Sequence, residues 1–106
     1  MIKGKTDSGF AFAVDENVLR SKRFAKLSAK LVRASKKMDD PEAKVEAMVT
    51  EDDLEVLLLG EDGQEALIAH MDAISKTGMA SSDDVAAEVN EIVQIISEKV
   101  PEVKNS

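Results

Sequence analysis

The residues best equipped for chemistry are few. They are one histidine, His70, in "ALIAHMDAI", and three adjacent carboxylate pairs, Asp39-Asp40, Asp52-Asp53 and Asp83-Asp84. A general acid or base needs a titratable group beside a reacting atom. Each Asp pair, however, precedes or opens an expected helix, where negative charge favours the positive helix end. His70 falls within a helical pattern and reads as a partly exposed or core-edge side chain. "EDDLEVLLLGEDG" lacks the alternating acidic ligands and closing Glu of a calcium loop. "GEDG" has too few glycines for a phosphate cradle and no Lys-Ser/Thr pair after it. Ser81-Ser82 has no base nearby in sequence. With no cysteine, disulfides and thiolate metal sites are excluded. The expectation is a non-enzymatic protein without cofactor or metal.

Charge is the stronger signal. "RSKRFAKLSAKLVRASKK", residues 20–37, holds eight Lys or Arg and no Asp or Glu, in a chain of 14 basic and 21 acidic residues. Residues 1–37 carry ten basic and three acidic side chains, and residues 38–106 carry four and eighteen. At 100° per residue, Phe24, Leu27, Leu31, Ala34 and Met38 fall on one stripe. Lys22, Arg23, Lys26, Lys30, Arg33, Lys36 and Lys37 fall opposite, with Arg20 near the apolar stripe. The block is thus one face of an amphipathic helix. That face can be solvated, can complement acidic surface in the same fold, or can dock a partner. Phosphate contact would use the same lysines. A net charge of −7 and the absence of aromatics among them argue against nucleic acid. A basic amphipathic helix can also lie on a membrane, but its apolar stripe is needed for the core.

The elements that position these residues are legible. The 106 residues make one domain, and with only three aromatics, Phe10, Phe12 and Phe24, its core is aliphatic. Ile2–Thr6 and Phe10–Val14 pair as a hairpin about Asp7-Ser8-Gly9, with Phe10, Phe12 and Val14 on the face that docks. Asp15 or Asn17 caps a first helix to about Lys37. Asp40-Pro41 starts a second, which runs to Gly60 or breaks at a Thr50/Asp53 cap. Leu54, Leu57 and Leu58 are expected core. A third helix spans about 61–75 with Leu67, Ile68, Met71 and Ile74 apolar. Ser81 or Ser82 caps a fourth, from Asp83 to about Val100, with Val85, Val89, Ile92, Val93 and Ile96 as its stripe and Pro101 as its stop. The expected fold is mainly α: an N-terminal β-hairpin (about 2–14) packed on a small bundle of about four helices within residues 1–100, with a flexible tail at 101–106. No apolar run approaches the roughly 20 residues of a membrane span, and no signal peptide opens the chain, so a cytoplasmic protein is expected.

Several stretches together resemble the tail assembly chaperones of long-tailed bacteriophages. "KGKTDSGFAFAVDENVL" is similar to the opening of that family, "LLLGEDGQEAL" to its central Leu-Leu-Gly element, and "KTGMASSDDVAAEVNEIV" to its loop into the last helix. The ending "VKNS" is also similar. The first helix departs, being more acidic in the family. The resemblance implies a protein of the host bacterial cytoplasm that binds the phage tape measure protein before tail tube subunits polymerise round it. Tail tube protein and other copies of the chain would be further partners. It also implies a short form of a frameshifted pair, with slippage at the codons of Val103-Lys104-Asn105. Candidate partner-binding residues are Lys22, Arg23, Lys26, Lys30, Arg33 and Lys37 on the basic face. Val56, Leu59, Met71 and Ile95 lie off the tidiest stripes and are groove candidates, with a core role as the alternative for each. The rival reading is a small regulatory binder, antitoxin-like or a nucleic-acid adaptor, using the basic helix 20–37.

Overall fold

The computed structural model describes residues 1–99. The expected Pro101 stop, the 101–106 tail and the Val103-Lys104-Asn105 segment lie outside the described residues. The order is β1 (Ile2–Lys5), β2 (Ala11–Val14), α1 (Glu16–Leu19), α2 (Lys22–Ser35), α3 (Pro41–Ile74) and α4 (Ser82–Lys99). The expected class holds: a mainly helical domain bearing an N-terminal hairpin.

β1 and β2 pair antiparallel, with Ile2 opposite Val14 and Lys5 opposite Ala11. Thr6 and Phe10 extend the pairing by one backbone bond, N–H to carbonyl at 3.0 Å, and Gly9 takes the positive φ its turn position requires, +97°. Alternation works as expected. Phe10, Phe12 and Val14 are buried while Ala11 and Ala13 are exposed.

The first helix is split, contrary to expectation. Asp15 caps the four-residue α1, accepting from the Asn17 amide at 3.0 Å. The chain then turns at Arg20, and Ser21 caps α2 by accepting from the Phe24 amide at 3.1 Å. Serine at this position competes with the helix for backbone hydrogen bonds, and its hydroxyl also donates to the Val18 carbonyl at 2.6 Å. α2 ends at Ser35, so Lys36, Lys37 and Met38 lie beyond it.

α3 starts as expected, with Asp40 accepting from the Glu42 amide and Pro41 at the first turn. It does not break at Thr50. The Thr50 hydroxyl donates instead to the Glu46 carbonyl one turn back, at 2.7 Å, and the residue is buried. Asp52-Asp53 therefore sits inside the helix rather than opening one. The break comes at Gly60, with φ 78° and ψ 168°, a region that excludes side chains bearing a Cβ. It divides α3 into a first limb, residues 41–59, and a second, residues 61–74. Glu61 and Asp62 open the second limb, where carboxylates suit the helix start. α4 begins in a capping box: Asp84 N–H donates to Ser81 Oγ at 3.0 Å and Ser81 N–H to Asp84 Oδ2 at 3.4 Å.

The principal core lies where the hairpin, the second limb and α4 meet. Val14, Leu67, Ile92 and Ile96 are its most enclosed members, joined by Phe10, Phe12, Leu19, Leu58, Met71, Val85 and Val89. α2 packs chiefly on α3 and touches this core through Phe24. Its apolar stripe is only partly covered: Phe24, Leu27 and Leu31 are half-buried, Ala34 is buried and Met38 is exposed. No helix of the described residues is long and apolar enough to cross a membrane.

Candidate interaction surface

His70 does meet a hydroxyl and a carboxylate, at the hairpin turn. Ser8 Oγ lies 3.0 Å from His70 Nε2 and donates to Glu88 Oε2 at 2.5 Å. Thr6 Oγ1 donates to the same oxygen at 2.6 Å. Each hydroxyl has one hydrogen, and both are committed to Glu88. His70 must therefore hold its proton on Nε2 and donate it to Ser8. A base would need the opposite arrangement, so Ser8 is not activated as a nucleophile. The cluster is a latch. Phe10 leans on the His70 ring at 5.6 Å between centroids, and Glu91, one turn beyond Glu88, accepts from the Asp7 amide at 2.6 Å. At the other end of the hairpin, Lys99 Nζ donates to the Lys3 carbonyl at 2.6 Å. Among the described residues, no group of three or more His, Cys, Asp or Glu is arranged to hold a metal ion.

The basic face divides in two. Lys22, Arg23 and Lys26 line, with Leu27, an open groove of about 920 Å³ opposite Asp52, Asp53, Val56, Leu57 and Glu61 at the bend of α3. Those three cations look onto acidic surface of their own fold. Lys30, Arg33 and Lys37 are exposed and do not line that groove. Arg20 is also exposed and donates to Asn17 Oδ1 at 3.1 Å.

The four apolar groove candidates separate as well. Val56 is half-buried on the wall of the charged groove. Leu59 and Ile95 are partly buried and pack against the principal core. Met71, 9 % exposed, is a core residue and offers no groove surface. It sits one turn after Leu67 on the stripe that faces α4, which explains its enclosure.

A different apolar groove runs between α2, the first limb of α3 and α4. Three adjoining hollows of about 300, 330 and 270 Å³ share Glu51 in their walls, the first lying at the groove's end, lined by Ile68 of the second limb and Ala80 to Ser82 rather than by α2. The walls are largely aliphatic, with Leu31 and Val32 from α2, Met48 and Leu54 from α3, and Val89 and Val93 from α4. Met38 closes one end, beside Ala47 and Ala86. Beyond the groove Val45 and Val49, with Met48, form an i, i+3, i+4 set on the outer side of α3, all more than half exposed.

Beneath this groove is a carboxylate node that composition alone conceals. The Gln64 side-chain amide donates to Asp52 Oδ1 at 2.6 Å and to Glu55 Oε1 at 3.0 Å, bridging the two limbs of α3 across Gly60. Glu55 is buried, and burial raises its carboxyl above the usual range, Gln64 lowers it and Asp52 raises it again. Burial first, then the adjacent Glu55 charge, pushes the Glu51 carboxyl up to about 7. Sequence carried a signal for both sites. Glu51 follows Ala47 by four and precedes Leu54 and Leu58 by three and seven, and Glu88 stands among Val85, Val89 and Ile92. Each acid lies on a stripe whose other members are buried.

No protein-family model, no curated protein and no solved structure matches this chain.

Proposed function

We propose that this protein is a tail assembly chaperone of the long-tailed bacteriophage type, which works in the host bacterial cytoplasm. It binds helical segments of the tape measure protein, keeps them from aggregating, and releases them as tail tube subunits polymerise. It carries out no reaction. One observation supports this most: a small domain leaves an aliphatic groove open, flanked by Val32, Met38 and Met48, each 45–53 % exposed. Contiguous apolar surface of this kind marks an interaction site. Methionines at its edge adapt to varied partners, and an amphipathic helix in a groove is a recurrent way to bind a chain. The resemblance of residues 57–67 and 76–93 to that family points the same way. The test is co-expression with a candidate tape measure protein. Soluble, co-purifying tape measure protein is the expected result, and an insoluble one despite abundant chaperone would overturn the reading.

The outward cations Lys30, Arg33, Lys36 and Lys37 favour a second reading, a small regulatory binder that sets this basic surface on nucleic acid. Duplex DNA binding that weakens steeply with salt would support it, and no binding at low salt would end it.

A further inference from the structure

The aliphatic groove has a chemical bias that its shape alone does not require. Its walls include Glu51 in all three hollows, Asp52 and Glu55 in one and Asp83 in another, and, among the described residues, no Lys, Arg or His in any. α2, the basic helix, contributes to these walls only uncharged side chains, among them Ser28 and Ser35. The cations and the groove thus occupy separate parts of one domain. Glu51 is the carboxylate a ligand must meet, since it borders every hollow beside Met48, Leu54 and Leu31.

Covering that carboxylate with a purely apolar helix would remove its remaining water and supply nothing in return. Such a cover would force the carboxyl into its protonated form, at a cost that grows as pH rises above 7, whereas a cation brought to the same place keeps it ionised and paired. The titration of Glu51 is raised first by burial and then by the neighbouring Glu55 carboxylate.

We propose that the groove between α2, the first limb of α3 and α4 receives one partner helix whose apolar stripe is interrupted by a lysine or arginine, and that this cation pairs with Glu51. The inference rests on the reading of the protein as a helix-binding chaperone and adds the chemistry of the segment it selects. The apolar stripe supplies the burial, and the cation fixes the register of the helix along the groove.

The probe is a designed amphipathic helical peptide with a Leu/Ala stripe and one central lysine, compared with Lys→Met and Lys→Glu versions. Titration against the full chain should give binding about tenfold or more weaker for each altered peptide, the size of one charge pair lost from an interface. Glu51→Gln should abolish the preference for lysine, and Glu51→Lys should transfer it to the glutamate peptide. Methyl signals of Met38 and Met48 should move on binding while that of the enclosed Met71 stays. Circular dichroism identifies any variant that has lost its helices, and Glu51→Gln, close in size to glutamate, keeps the test valid should Glu51→Lys unfold. Equal binding of all three peptides, no binding, or a groove filled by a second copy of the chain would overturn the proposal. The two readings fail separately. Solubilised tape measure protein that is indifferent to Glu51→Gln would sink only the charge pairing. A lysine peptide held through Glu51, with tape measure protein left insoluble, would sink only the chaperone assignment.

Discussion

Gln64 and Asp52 are joined side chain to side chain at 2.6 Å although Gly60 bends the helix between them. The same amide nitrogen donates to the buried Glu55 carboxylate at 3.0 Å, so one glutamine ties together the two limbs of α3. Gln64→Ala should therefore cost about 1–3 kcal/mol, the usual penalty for a buried polar group left without its partner. Urea unfolding measures it. A loss near zero would mean that water takes the place of the amide.

A pH dependence follows from Glu51. Its carboxyl holds a proton up to about 7 in the folded protein against 4.5 as its ordinary value. The folded state binds the extra proton between those values, so this contribution to stability is full below about 4.5 and lost as pH rises through 7. Glu51→Gln keeps an uncharged group at every pH. It should match the wild type near pH 4.5 and exceed it at pH 8 by on the order of 1–2 kcal/mol, after allowing for solvent screening at a half-buried site. Unfolding midpoints across that range decide the matter. A constant difference between the two proteins would contradict the assignment.

Gly60 gives a cleaner backbone test. A Cβ there would meet no atom within 4 Å, so any cost of Gly60→Ala is conformational rather than steric packing. With φ 78° and ψ 168° the expected loss is about 1–3 kcal/mol. D-alanine, introduced by chemical ligation, accepts that backbone and should be tolerated. Equal damage from both enantiomers would show that the bend matters less than the absence of a side chain.

The two halves of the basic face should respond differently to charge reversal. Lys22→Glu, Arg23→Glu and Lys26→Glu place negative charge opposite Asp52, Asp53 and Glu61, and should lower thermal stability. Lys30→Glu, Arg33→Glu and Lys37→Glu leave the fold's own acidic groove untouched and should act on association instead. Sedimentation velocity and thermal melts on the two triple variants separate these effects. Identical behaviour of the pair would remove the distinction.

What sequence reveals here tracks how local the cause is. Asp40-Pro41, Gly60 and the Phe10/Phe12 alternation each act within a few residues, and each appears where pattern and chemistry place it. The split after Leu19 is hidden in the sequence because Ser21 reads as one polar residue on a basic helix until its cap is seen. Thr50 misled in the opposite sense, since a hydroxyl that can cap a helix can equally bond back within one. The candidate surface was the least legible part. Met71 and Glu51 owe their environments to packing between limbs of a bent helix and α4, and spacing along one helix carries no record of which neighbour covers it. The basic face was visible at once, but its division by Asp52, Asp53 and Glu61 depends on the bend.

The bond from Lys99 to Lys3 has a bearing on how the protein is made. Phe10, Phe12 and Val14 emerge from the ribosome well before Val89, Ile92 and Ile96, with which they share one core. A nascent chain must hold its hairpin face uncovered until α4 has left the exit tunnel. A hairpin in this topology is itself in need of protection until α4 arrives to cover it.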